Sequence, residues 1–179
     1  MNARPLVFSV LLGLALLSTA ARTEPARGIV SLDLCTDWML LKYAEPSQVR
    51  AYSPLLYRYR EDWVPAGLPV HDGSLEHILQ LEPALLISGE YNAILLRKRL
   101  QQLGQRVEVL SLPTTLAGIR AYLAEFLALV GANENPVAID WDRNYPQRHG
   151  TLLLLGANGI GTGAGTLEDD LLRKAGWDN

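Results

Sequence analysis

The chain has 179 residues but only one cysteine, Cys35. Because a single cysteine closes no internal disulfide, the packing of a hydrophobic core must supply the stability. Basic residues are also scarce: 16 stand against 19 acidic ones, and the formal net charge is −3. Nucleic-acid binding needs clustered positive side chains, so this balance argues against it. No long apolar run follows residue 21, and we expect no later segment to span a membrane.

The first 21 residues have the three parts of a secretory signal peptide. Arg4 precedes an apolar run at residues 6–17, and small residues follow at 18–21. This run is shorter than the roughly 20 apolar residues that cross a bilayer, so the order of the parts predicts a cleaved signal at 1–21. No cysteine lies at the cleavage site, and a lipid anchor is therefore not expected. We expect the mature protein to be soluble and outside the cytoplasm.

Apolar runs and helical patterns alternate along the rest of the chain. Strands are predicted at 28–32, 48–53, 84–88, 106–110 and 151–155, and helices at 36–44, 75–81, 92–103, 116–130 and 167–175. This alternation is typical of βαβ units that form a mostly parallel sheet. The runs ALLIS and TLLLL are as apolar as strands that are buried on both faces. The expected fold class is therefore α/β.

The domain organisation predicted from the same patterns has three parts after the signal. Residues 28–131 form one α/β lobe with the predicted ligand-binding loops, and 132–150 form a polar connector. Residues 151–179 supply one strand, a glycine-rich loop and one helix, which together are too few for a second domain. We therefore expect the start of an incomplete second lobe there.

The candidate ligand residues lie where predicted strands end, because ligands of open α/β sheets bind beyond the carboxyl ends of the strands. Polar loops follow there at 33–37, 54–60, 71–74 and 89–92. Five aromatic side chains lie near the same edge, and they form either a contact surface for a flat, partly apolar ligand or a cover for the edge of the domain. These are Tyr52, Tyr57, Tyr59, Trp63 and Tyr91.

Parts of the sequence are compatible with three other kinds of site. Cys35 can act as a nucleophile if His71 serves as its base and a helix N-terminus lowers its pKa, although a lone cysteine more often only packs. A metal site can be considered at His71, Asp72, Glu76 and His77. Its ligands would converge poorly, because Glu76 and His77 point about 100° apart on a helix. The glycine-rich loop at 156–165 lies between a predicted strand and a helix, as phosphate loops do, but has no P-loop lysine.

Three segments together resemble the N-terminal lobe of periplasmic substrate-binding proteins for cobalamin and ferric siderophores. They are IVSLDLCTDWMLLKYA, HDGSLEHILQLEPALLISGEYNA and LQQLGQRVEVLSLPTTLAGIRAYLAEFLALVG. The final GANGIGTGAGTLEDDLLRKAGWDN is similar to the start of the second lobe of that family. The resemblance implies two α/β lobes joined by a long helix, with the ligand between them. The connector here is shorter than that helix, and most of the second lobe is missing.

The resemblance also implies the residues that bind. Together with the loop aromatic Tyr57, the loops that match the ligand cleft give ten candidate ligand residues: Asp33, Leu34, Cys35, Thr36, Tyr57, His71, Asp72, Gly73, Glu90 and Tyr91. Glu76 matches the carboxylate that docks on the permease, although an acid in a first helical turn also simply suits the helix dipole.

The function that we expect is therefore that of a periplasmic solute-binding component of an ABC importer. It binds an iron chelate (siderophore or haem) or a cobalamin-like ligand and delivers it to a permease in the inner membrane. Members of the family are not enzymes, and no cofactor or resident metal is expected. The alternatives are a zinc or manganese receptor of similar fold, an enzyme that uses Cys35, and an inactive truncated remnant.

Overall fold

A computed structural model describes residues 27–132, 145–148, 150–156 and 158–179. The predicted signal peptide at 1–21 and most of the predicted connector at 132–150 lie outside the described residues. The strands are β1 (Ile29–Ser31), β2 (Val49–Ala51), β3 (Leu85–Gly89) and β4 (Val107–Leu110). The helices are α1 (Leu34–Tyr43), α2 (Leu55–Arg58), α3 (Leu75–Gln80), α4 (Ile94–Gln102), α5 (Leu116–Val130) and α6 (Leu167–Lys174).

The four strands form one parallel sheet in the order β2-β1-β3-β4, which confirms the α/β fold class. The side chains of Ile29, Val30, Leu85, Leu86 and Ile87 have no exposed surface. Continuous apolar runs are typical of parallel strands that are covered on both faces, and the segment ALLIS follows this rule. The two central strands β1 and β3 therefore lie inside the domain, and their carboxyl ends meet at one edge.

Helices cover both faces of the sheet. On one face, Ile29 and Ile87 pack in a cluster with Leu40 of α1 and Phe126 of α5. On the other, Val30 and Leu86 pack with Ile78 of α3 and Leu100 of α4. Alternate residues of β1 and β3 thus enter different clusters, and each fully buried side chain contributes about 1.5–3 kcal/mol to folding.

Polar caps fix where the helices begin. Thr115 accepts a hydrogen bond from the N–H of Gly118, and Gly131 ends α5 with φ of 68°, so both predicted ends of this helix are confirmed. Ser74 and Thr166 cap α3 and α6 as predicted. The first helix begins at Leu34, two residues before the predicted start, because the side chain of Asp33 accepts from the N–H of Thr36.

The prediction of a strand at 151–155 is wrong. Thr151 and Leu155 make only isolated bridges, to Asp178 and Gly161. Leu153 and Leu155 are 60% and 61% exposed, because no strand among the described residues pairs along this run. The glycine-rich loop at 156–165 consequently does not follow a strand, and the phosphate-loop hypothesis loses the structural context that it requires.

The last helix packs against the lobe. Asp170 of α6 accepts a hydrogen bond from the N–H of Leu116, at the start of α5, with a distance of 2.7 Å from N to Oδ2. A carboxylate at a helix N-terminus satisfies a free N–H and also interacts favourably with the helix dipole. In the described part of the chain, none of the helices has the length and apolar character needed to cross a membrane.

Candidate functional site

Asp33 joins the carboxyl ends of the two central strands. It follows β1 and is 2% exposed. Its Oδ1 accepts from the N–H of Thr36 at 3.0 Å, and its Oδ2 accepts from the N–H of Gly89 at 2.6 Å. Since hydrogen bonds to a charged acceptor are short and strong, this carboxylate holds the start of α1 and the end of β3 together.

Asp37 makes a second hydrogen-bonded contact at the same edge. It is not among the ten predicted ligand residues. The residue is fully buried in α1, and its carboxylate accepts from the N–H and the hydroxyl of Ser53, just beyond β2. Burial raises the pKa of Asp37 to about 6, against the opposing effect of its hydrogen bonds with Ser31 and Ser53. The spacing of four residues from the helix cap at Asp33 is the only signal in the sequence that places both acids on one side of α1.

His71 is a structural residue in the interior. It is 3% exposed, and its Nδ1 accepts from the N–H of Gly73 at 3.0 Å. Since Nδ1 is an acceptor, Nε2 carries the proton and donates to the carbonyl of Ser31 at 2.8 Å. Burial lowers the pKa of His71, which favours this neutral ring.

This geometry removes the basis of the metal-site hypothesis. Both nitrogens of His71 are engaged, and Nδ1 of His77 accepts from the N–H of Asp72 at 3.2 Å. Within the described ranges, no three His, Cys, Asp or Glu side chains are grouped to hold a metal ion. The zinc or manganese alternative therefore loses the histidine on which it depended.

The ten predicted ligand residues divide into two sets by exposure. Three polar residues are buried and use their side chains inside the protein: Asp33, Thr36 and His71. Leu34 is half-buried. The others reach the surface: Cys35, Tyr57, Asp72, Gly73, Glu90 and Tyr91. The buried set supports the edge of the sheet, and the exposed set is the part that can touch a ligand.

The loop aromatics are not all at the surface. Tyr52 is 4% exposed and packs in the core with Leu56, so its place in a contact surface is wrong. Tyr57, Tyr59, Trp63 and Tyr91 are exposed, as a contact surface requires. The hydroxyl of Tyr57 donates to the carbonyl of Leu68 at 3.1 Å, which fixes the orientation of its ring.

A cavity of about 800 Å³ lies between α1 and α5. Helix α1 contributes Cys35, Trp38, Met39 and Lys42, and α5 contributes Ile119, Tyr122 and Leu123. Trp63, Leu112 and Leu167 complete the walls from other parts of the chain. Cys35 is the one predicted ligand residue that lines it. Trp63 is also one of the five loop aromatics considered above as a contact surface. The remaining wall residues were missed because only the tertiary structure brings positions 35 to 167 together.

The walls of this cavity are almost wholly apolar. The rings of Trp38 and Trp63 lie 6.2 Å apart between centroids, at an angle of 59°. Trp38 Nε1 is buried and has no partner among the described residues, so this indole presents ring carbons rather than its N–H to the cavity. Lys42 is the one charged side chain among the described residues of the lining.

The surroundings of Cys35 disfavour its thiolate form. Although the residue is exposed, its thiol loses part of its water at the cavity wall, and this burial raises its pKa. The negative charges of Asp33 and Asp37 raise the pKa further. The expected lowering of this pKa is therefore wrong, because the loss of water and the nearby carboxylates raise it. A thiol that stays protonated at neutral pH is a weak nucleophile.

Solved structures with similar folds include periplasmic solute-binding proteins. One is described as a possible iron-binding (periplasmic solute-binding) protein from Staphylococcus epidermidis, with a TM-score of 0.62 and 16% identity over 84% of this chain. Another is an ABC transporter substrate-binding protein from Listeria monocytogenes, with a TM-score of 0.60 and 17% identity over 86% of this chain. The periplasmic heme-binding protein RhuT from Roseiflexus has a TM-score of 0.53 and 19% identity, over 86% of this chain.

The chain has the fold of a periplasmic solute-binding protein. The similarity lies in the fold and not in the sequence, since the identities are all below 20% in these three comparisons. The matched regions cover 66%, 64% and 65% of the three solved chains, so this chain spans about two thirds of their length. No protein-family model matches the chain, and no curated protein sequence matches it.

Proposed function

We propose that the chain is the solute-binding component of an ABC importer, which holds an iron chelate or a cobalamin-like ligand in the periplasm and delivers it to a permease. The observation that carries this proposal is the solute-binding fold shared with the three solved proteins. The cleaved signal predicted at 1–21 supports export. The predicted parts at 28–131, 132–150 and 151–179 remain our proposal for the domain organisation.

The proposed ligand surface consists of the exposed candidates beyond the strands. Asp72 and Gly73 lie in the turn before α3, and Glu90 and Tyr91 directly follow β3. Glu90 accepts a hydrogen bond from the N–H of Leu112 at 3.2 Å, which joins the loops that follow β3 and β4. Tyr91 is 69% exposed, so its ring is free to stack on a flat ligand.

Titration of the purified protein with haem, ferric siderophores and cobalamin tests this function through the fluorescence of its four tryptophans. We expect saturable binding of one of these ligands. Tyr91→Ala should weaken it about threefold to tenfold, since one aromatic stacking contact is lost. Tyr145→Ala, at an exposed tyrosine outside the set of loop aromatics, is the matched control. No saturable response to any of the ligands contradicts the proposed function.

The proposed permease contact is Glu76, an exposed acid in the first turn of α3. A complementary charge across an interface promotes association and correct orientation more than it adds affinity. Glu76→Lys should therefore reduce ligand uptake in cells while the purified protein still binds the same ligand. The control is Glu61→Lys, at another exposed glutamate. If both variants support uptake equally, Glu76 is not the docking residue.

A further inference from the structure

The cavity between α1 and α5 shares only Cys35 with the ten candidate ligand residues. None of Asp72, Gly73, Glu90 and Tyr91 lines it, and its walls come mainly from the sides of two helices. Its volume of about 800 Å³ lies in the range of small-molecule sites, about 300–1,000 Å³, and such sites are mostly apolar with few polar groups. A ligand site in this cavity is therefore additional to the importer function and does not depend on it.

The two ends of the cavity differ in charge. Near Cys35 and Tyr122 stand the carboxylates of Asp33 and Glu125, whose charges act on the Tyr122 hydroxyl. Lys42 lies seven residues after Cys35 on α1, which is about 10 Å along the helix axis. An anionic group is consequently repelled at the first end and attracted at the second.

We propose that this cavity binds a largely apolar, flat small molecule with one anionic group, oriented so that the anion lies beside Lys42. The rings of Trp38 and Trp63 contact the apolar body, and Met39 adapts to its shape because its unbranched side chain is flexible. A ligand of matching length is about 10 Å long, which is the distance from Cys35 to Lys42 along α1.

Two dyes that differ by one charge test the site. The anion 1-anilinonaphthalene-8-sulfonate and the neutral N-phenyl-1-naphthylamine have the same ring system, and both become fluorescent in apolar sites. We expect one molecule of either dye to bind per chain, the anion more tightly. Lys42→Gln should weaken binding of the anion about twofold to fivefold, which is the effect of losing an exposed charge pair. Binding of the neutral dye should not change. Equal losses for both dyes, or none for the anion, contradict the proposed orientation.

A second pair of variants tests the location. Met39→Glu places a charge on the cavity wall and should weaken both dyes at least tenfold, because an apolar site does not accept an unpaired carboxylate. Leu95→Glu, on α4 at the other face of the sheet, is the matched control, since Leu95 is 83% exposed. Circular dichroism confirms that each variant is folded. Equal binding to Met39→Glu and to the unmodified protein refutes the site.

The unmodified protein provides a test that does not depend on the folding of a variant. Cys35 lines the cavity, so a bound dye should slow its alkylation by iodoacetamide at alkaline pH. Dodecanoate, an aliphatic anion, separates a flat-ring site from a general fatty-acid site, and we expect it to compete weakly. An unprotected Cys35, stronger competition by dodecanoate than by the aromatic anion, or a dimer that excludes the dyes would overturn the proposal. Uptake by cells is measured separately, so failure here leaves the importer function standing.

Discussion

The carboxylate of Asp37 accepts two hydrogen bonds from Ser53, one from the main-chain N–H at 2.8 Å and one from the hydroxyl at 2.6 Å. This contact fastens α1 to the end of β2. Asp33, one helical turn earlier, accepts from the N–H of Gly89 and fastens the start of the same helix to β3. Two acids at the start of α1 therefore hold together the carboxyl ends of the strands on either side of β1.

Asp37→Ala should lower the free energy of unfolding by about 1–3 kcal/mol, because the buried N–H of Ser53 loses its acceptor. Urea unfolding followed by circular dichroism at neutral pH measures this loss. Asp62→Ala removes an exposed acid and should change stability by less than about 0.5 kcal/mol. Similar values for the two variants would show that the contact with Ser53 adds no stability.

Asp37→Asn should change how stability depends on pH. The pKa of Asp37 is about 6 in the folded protein and 3.8 as its ordinary value, so the folded state binds this proton more tightly. The resulting stability is fully present below pH 3.8 and is lost as the pH rises through about 6. Between about pH 4 and pH 7, the free energy of unfolding of the unmodified protein should therefore decline, and that of the Asn variant should not. Urea unfolding of both proteins across this range measures the difference. Parallel profiles would contradict the raised pKa.

His71 should remain neutral, with its proton on Nε2, in mildly acidic solution. Its pKa lies below the usual 6.5 because the ring is buried, so its contribution to stability is present above pH 6.5 and is lost as the pH falls through the folded pKa. Long-range ¹H–¹⁵N NMR spectra distinguish the tautomers and follow the titration. The urea-unfolded protein is the reference, where this ring should titrate near its ordinary value. A proton on Nδ1 would contradict the bond from Gly73.

Cys35 should react with iodoacetamide more slowly than free cysteine at neutral pH, because the raised pKa keeps its thiol protonated. The rate should increase as the pH rises above the ordinary value of 9.0. Cys35→Ser provides the unlabelled control, and the urea-unfolded chain provides the rate without neighbouring carboxylates. Labelling faster than that of free cysteine would revive the enzyme hypothesis.

Local patterns were sufficient to predict most of the fold. The limits of α5 follow from Thr115 and Gly131, since a cap and a left-handed glycine act within one turn of the helix. The run ALLIS predicted a buried strand, and TLLLL predicted another for the same reason. Only the first has partners on both sides, and hydrogen-bonding partners are not visible in an apolar run.

The candidate site was less predictable than the fold. Position beyond a strand selected Asp33 and His71, but it did not show whether a polar side chain faces solvent or supports the edge from within. Asp37 was missed because its partner Ser53 lies 16 residues away. The cavity was missed for a related reason: Cys35 and Leu167 meet in space, and no local pattern connects them.

The strand order has a consequence for how the lobe assembles. Among the described strands, β1 comes first along the chain and stands inside the sheet. Strand β2 joins one flank, β3 joins the other, and β4 then extends the second flank. Growth of the sheet can therefore start at the centre and proceed outward in the order of the chain. Each of β2, β3 and β4 pairs with a strand that precedes it in the chain.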